Sequence, residues 1–177
     1  MKNWLTENLE IFIASLALLI SFGTGIISFL TFRIQRKHNR KSLKPIIYVA
    51  LYDYSNCIRI ELVNEGVGPA NINKIEVKKN EHEIQNSIYE CMPPLPAGLS
   101  YDFYLLRHEN IPCIQGKKIT LLEIKFDLSK DTERKFRDEM RAVLCRLKVT
   151  IYYKDIYDDE MPAYSRALEL YARTDNG

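Results

Sequence analysis

Two hydrophobic periodicities divide this chain. From Ile11 to Phe32, 22 residues pass without a charge, enough at about 1.5 Å per residue for one helix to cross the roughly 30 Å hydrocarbon core of a bilayer. From Pro45 onward, apolar residues recur at every second position instead. They are enriched in β-branched and aromatic types and interrupted at short intervals by Gly, Pro, Asn and Asp. That pattern predicts strands, at Pro45 to Asp53, Cys57 to Asn64, Ala70 to Lys78, Ser100 to Leu106, Lys117 to Phe126, Leu144 to Lys154 and Pro162 to Tyr171. Ile58, Ile60 and Leu62 alternate with Arg59, Glu61 and Val63, while Leu147, Val149, Ile151 and Tyr153 alternate with more polar neighbours, so each strand should have one wet face.

A helix is expected from Asp131 to about Val143, capped by Ser129 or Asp131 and docked by Phe136, Met140 and Val143. Ile84, Ile88 and Tyr89 predict a loop or short helix, and Pro93-Pro94-Leu95-Pro96 ends regular structure as a connector or an aromatic-groove ligand. The expected fold is mainly β. A flank (1–10) precedes one transmembrane helix (11–32), then come a basic juxtamembrane linker (33–44) and a cytosolic, immunoglobulin-like β-sandwich (45–177) with one inserted α-helix.

Within the apolar run, positions spaced alternately three and four apart are all small or hydroxylated: Ala14, Ala17, Ser21, Thr24, Ser28 and Thr31. This is the spacing of a left-handed helix seam, and it continues to Asn3, Glu7 and Glu10 on one side and Gln35, His38 and Ser42 on the other. Three readings follow. The seam lets copies of the helix approach closely in lipid; or it lines a water-filled path with Glu7 and Glu10 as carboxylate rings favouring cations; or the helix is a lone anchor. Ser15, Gly23 and Gly25 lie off the stripe.

Charge sets the expected orientation. Arg33, Arg36, Lys37, Arg40, Lys41 and Lys44 follow the run, whereas only Lys2 precedes it, with Trp4 as an interfacial anchor. Basic flanks stay on the cytoplasmic side, so the amino terminus should face out and the remainder lie in the cytosol. The segment reads as a retained span, because a cleaved signal has its basic residues before a shorter apolar core. The six cations should also attract anionic lipid headgroups, by about 1 kcal/mol each near the surface.

The first 44 residues hold seven basic and two acidic side chains, and the remaining 133 hold 18 and 21. The second part is one domain long and slightly acidic, which argues against sequence-independent binding to nucleic acid. Cys57, Cys91, Cys113 and Cys145 are widely separated, which fits a reducing compartment and no metal or redox motif. Cys57 and Cys145 should be small buried hydrophobes in strands.

The segment Asn64-Glu65-Gly66-Val67-Gly68-Pro69-Ala70 has turn chemistry. It does not open a helix, as a phosphate-binding loop would. Asp155, Asp158 and Asp159 lack the glycine and distal glutamate of a calcium loop, so no metal and no cofactor is expected. His38, His82 and His108 sit near no nucleophile or ligand spacing, and no enzyme is expected. On the expected helix, Arg134, Lys135, Arg137 and Arg141 form either a solvated face or a cationic rim for an anionic ligand or the membrane surface.

A single span followed directly by His38-Asn39-Arg40-Lys41-Ser42-Leu43-Lys44-Pro45, and then Asn64 to Ala70, resembles a widespread group of uncharacterised bacterial membrane-anchored proteins. The resemblance covers the helix, the juncture and the first three strands, and implies a β-sandwich on a stalk. The architecture is also similar to that of anti-phage membrane effectors, in which a cytosolic β domain senses a nucleotide second messenger or a protein partner and oligomerised spans breach the inner membrane. A homo-oligomer in contact with membrane lipid is the expectation this likeness implies. The alternative is a tether that docks a soluble protein partner and transports nothing.

Overall fold

A computed structural model describes residues 2–79, 83–106 and 109–172, with the side chains of 2–7 excluded. His82 and His108 therefore lie outside the described residues. The chain divides into two compact units, Met1–Ser42 and Leu43–Gly177.

The first unit is one helix, α1 (Lys2–Ser42), 41 residues long and so about 60 Å from end to end. It is long and apolar enough to cross a membrane. It outruns the expected span because Arg33 to Ser42, expected as a linker, is made almost entirely of residues that tolerate or favour helix. Arg40 and Lys41 occupy the last turn, where cations suit the negative end of the helix dipole. Pro45 disfavours helical backbone at Lys44, and the helix stops just before.

The second unit is mostly β. Its strands are β1 (Ile47–Tyr54), β2 (Cys57–Asn64), β3 (Ala70–Lys78), β4 (Ile84–Gln85), β5 (Phe103–Tyr104), β6 (Ile111–Cys113), β7 (Lys118–Lys125), β8 (Lys148–Lys154) and β9 (Tyr164–Ala167). The helix α2 (Asp131–Leu144) lies between β7 and β8, and short 3-10 turns occupy Tyr89–Cys91 and Glu169–Ala172. The strands form two antiparallel sheets: β1-β2-β7-β5, and β4-β3-β8-β9 with β6 also paired to β3.

Residues of both sheets enter one hydrophobic core: Val49, Ile58, Ile60, Leu62, Leu122 and Ile124 from the first, and Ile72, Val77, Val149 and Ile151 from the second. Phe136, Met140 and Leu144 of α2 join it, so the helix docks by a stripe that ends at Leu144 while Val143 is only half-buried.

Several expectations are corrected. Strands β2 and β3 run where alternation predicts, but Ser100 to Leu106 and Pro162 to Tyr171 shorten to β5 and β9, and β4 and β6 are additional. Leu144 belongs to α2, so β8 starts at Lys148, and Cys145 is the helix C-cap with its thiol near the Ala142 carbonyl. The N-cap is Lys130. Lys130 makes no side-chain capping bond; the turn before it is braced instead, the Asp127 carboxylate accepting from the Ser129 N–H at 3.1 Å and Glu133 accepting from the Asp127 N–H at 2.7 Å.

The outer face of β2 is less wet than expected, since Glu61 and Val63 are buried. A ladder of charge covers it: Arg59 pairs with Glu123 at 2.8 Å, and Lys118 and Lys125 flank Glu61 and Glu123.

The outer strand β1 is covered by side chains from elsewhere in the unit. Arg166 of β9 donates to the Val49 carbonyl, the Tyr171 hydroxyl lies 3.3 Å from the carbonyls of Tyr52 and, on β2, Arg59, and Arg137 donates to that of Tyr54.

Asn64 ties the start of this unit together. Its buried side-chain oxygen accepts from the N–H groups of Ile46 and Gly66, and its amide donates to the carbonyls of Gly68 and Cys113. Gly66 and Gly68 are needed here for close approach. A Cβ on Gly66 would fall 2.2 Å from the Ile46 nitrogen, and one on Gly68 would fall 1.8 Å from the Leu43 carbonyl oxygen.

Candidate functional site

The seam residues Glu10, Ala14, Ala17, Ser21, Thr24, Ser28 and Thr31 are exposed along α1. The Glu7 backbone is helical, and its side chain lies outside the described residues. Large apolar side chains are exposed around the rest of the helix, among them Leu18, Phe22, Ile26 and Phe29. The small stripe is thus one strip of a helix whose whole circumference is open. On a straight helix a seam of alternating three and four residues drifts by about 20° per heptad, so copies meeting along it would supercoil to the left.

The Thr24 hydroxyl, on the seam, donates to the Ile20 carbonyl at 2.8 Å, and Ser15, off the seam, does the same to Ile11. Such bonds satisfy a hydroxyl inside its own helix. They leave its oxygen lone pairs directed outward for a neighbour.

Beyond the apolar run, Arg33, Arg36, Lys37 and Arg40 line one concavity of the helix surface. Their spacing of three and four residues puts them on a shared face, and the Arg33 guanidinium also sits 4.6 Å from the centroid of the Phe29 ring, a cation–π contact. Lys41 and Lys44 are exposed as well, Lys44 in the second unit. The arrangement can hold phosphate-bearing groups by charge, without enclosing them.

The four cations of α2 separate into two pairs. Arg134 and Lys135 are exposed. Arg137 and Arg141 are buried, and both reach Asp53 of β1, at 3.3 and 3.2 Å. They tie the helix to the sheet, so they do not stand beside Arg134 and Lys135 as a solvent-facing rim. Glu133, three residues before Phe136 and so on the same face, is buried too.

Among the described residues no group of three or more His, Cys, Asp or Glu is placed to hold a metal. Asp155 organises its own turn, accepting from the N–H groups of Tyr157 and Asp159. The cysteines are free thiols, and burial raises those of Cys57, Cys91 and Cys113 above the ordinary value, which makes them poor nucleophiles.

One cluster has no periodic signal in the sequence. Tyr89, Tyr101 and Tyr104 meet in space, with Tyr89 stacked on Tyr104 at 4.3 Å between centroids, beside Pro93, Pro94 and Leu95. The proline run was the only hint of it. Comparison with protein-family models and with curated proteins found no match for this chain.

Proposed function

We propose that this chain is a single-span membrane effector. Its α1 crosses the bacterial inner membrane with the amino terminus outside. Its β domain, an immunoglobulin-like sandwich, lies in the cytoplasm and meets a signal or a protein partner. Copies of α1 associate along Ala14, Ala17, Ser21, Thr24, Ser28 and Thr31 and open or disrupt the membrane. Apolar exposure around the entire helix supports the membrane reading, since in water a surface of that kind would drive aggregation. Arg33, Arg36, Lys37, Arg40, Lys41 and Lys44 would hold anionic headgroups at the inner surface.

The observation that carries the effector reading is continuity. The helix bearing the seam runs unbroken to Ser42, and only Leu43 to Ile46 separate it from β1. Those residues are held by Asn64 and by the close approach of Gly66 and Gly68. A signal would act by binding one assembled arrangement of the domain better than another. The likeness to anti-phage effectors is one of architecture and supplies no chemistry. The reading is non-enzymatic.

A second reading, the tether, is favoured by the intrahelical bond from Thr24 to Ile20, which lets the helix rest in lipid without a partner. Reconstitution separates the two. Full-length protein in liposomes of anionic lipid should release a trapped fluorescent dye, and Ser21→Leu with Thr24→Leu should abolish release while leaving insertion intact. No release from the parent chain at any protein-to-lipid ratio, with insertion verified, would leave the tether.

A further inference from the structure

Single exposed aliphatic side chains are ordinary on a protein surface, but their gathering in one place needs a cause. Among the described residues of the second unit, the four most exposed large apolar side chains are Ile46, Val67, Ile114 and Ile156, at 60, 59, 59 and 56%. They come from four separate segments: before β1, between β2 and β3, after β6 and after β8.

Strand pairing brings these segments to one end of the two sheets. Ile47 at the start of β1 is opposite Asn64 at the end of β2, while Ala70 and Asn71 at the start of β3 are opposite Cys113 of β6 and Lys154 of β8. The Asn64 side chain, bonded to the backbone of Ile46, Gly66, Gly68 and Cys113, ties three of the four segments together. This is also the end at which the chain enters the domain, through Leu43 to Ile46.

Charge at this end is sorted from side to side. Asn71 of β3 has Pro112 of β6 as its partner on one edge and Lys154 of β8 on the other, so the turns that follow β6 and β8 flank β3 on opposite sides. On the β6 side Lys117 and Lys118 are exposed, and no carboxylate lies between Cys113 and Lys118. On the β8 side Asp158, Asp159 and Glu160 are exposed, against the one cation of Lys154.

A membrane surface cannot use that sorting, since anionic headgroups would attract one flank and repel the other. A second copy can. The cationic flank of one domain matches the acidic flank of the next; Ile114 belongs to the first flank and Ile156 to the second, so the same pairing covers both. Such a contact uses two different surfaces of each copy and closes when it runs around a ring. Copies of α1 meeting along the seam would lie about 8–10 Å apart, and Leu43, directly after the helix, would gather the domain ends.

We propose that in the assembled effector each β domain packs the flank bearing Ile114 and Lys117 against the flank bearing Ile156 and Glu160 of a neighbouring copy. This contact rests on the association of α1 proposed above.

The test uses full-length chains in liposomes and a short bismaleimide, with the parent chain and its own four cysteines as background. Ile114→Cys chains mixed with Ile156→Cys chains should give cross-linked dimers at least fivefold above background and above either variant alone. Both side chains are exposed, so the β domain should keep its parent urea midpoint. Lys117→Glu added to the first chain, or Glu160→Lys added to the second, should lower the yield at least threefold, and the two together should restore it. Chains carrying Ser21→Cys report the helix seam separately. Cross-linking through Ser21→Cys without the mixed product overturns the domain contact and leaves the effector reading; loss of both overturns the contact together with that reading. Equal yield from Ile114→Cys alone, or a double charge reversal that does not restore the mixed product, also overturns the contact. So does shielding of both thiols by liposomes without cross-linking, which makes lipid the occupant.

Discussion

Asp53 Oδ1 lies 3.3 Å from a terminal nitrogen of Arg137, joining the end of β1 to the middle of α2. The other carboxylate oxygen lies 3.2 Å from Arg141; both arginines are buried, and the Asp53 side chain is 12% exposed. One carboxylate thus faces two guanidinium groups away from water. Removing it takes from two buried cations the carboxylate they share.

Asp53→Ala should therefore destabilise the β domain by about 3–5 kcal/mol, read as a drop in the urea midpoint with unchanged slope. The combined replacement Asp53→Leu, Arg137→Met and Arg141→Met should lose less than Asp53→Ala alone, because a matched apolar set leaves no charge stranded. Equal losses would mean that the ion pairs stabilise the fold outright.

Asn64→Ala removes four hydrogen bonds at once and strands the N–H groups of Ile46 and Gly66. At roughly 1 kcal/mol or more per buried group left unmade, a loss of about 3 kcal/mol is expected. Amide hydrogen exchange should speed up in both 64–69 and 113–117, since the one side chain bonds to both segments.

Gly68→Ala forces the Leu43 carbonyl to move, because the new Cβ would sit 1.8 Å from its oxygen. Trypsin should then cut faster after Lys41. Gly98→Ala is the contrast: its φ is +85° with open space around it, so it should strain its own loop without exposing the juncture.

Stability should fall in acid. The Lys74 ammonium, followed by the Tyr152 hydroxyl, holds Glu76 below its ordinary 4.5 against the opposing effect of burial. The Asp127 N–H and then Lys130 do the same for Glu133. A carboxylate lowered by folding contributes in full above its unfolded value and loses that contribution as pH drops through its folded one. The melting temperature should hold level from about pH 7 to 5 and decline below about pH 4. In Glu76→Gln that acid decline should be shallower, and a decline of undiminished steepness would remove Glu76 from this account.

How far the sequence could be read varies with the range of the interactions involved. Strands β2 and β3 are legible to the residue, because period-two alternation and the turn from Asn64 to Ala70 point to the same boundaries. Leu144 lies four residues after Met140, in step with the helical stripe, and three before Leu147, out of step with a strand; it packs in the core from the helix. Strands of two or three residues, such as β4 and β6, are too short to show alternation and exist by pairing with β3. Arg137 and Arg141 read as solvated because their partner, Asp53, is more than 80 residues earlier. The tyrosine corner draws on two separate loops with no shared spacing, so nothing local announces it. The seam of α1, by contrast, is wholly a matter of spacing.

The covered edge of β1 has a consequence for chains gathered in numbers. Arg166 occupies the Val49 carbonyl, one of the groups that an incoming strand would seek, and an unblocked edge is what lets one sheet template the next. With that carbonyl taken, and β5 at the far edge of the same sheet only two residues long, this sheet gives a crowded neighbouring copy little on which to extend it.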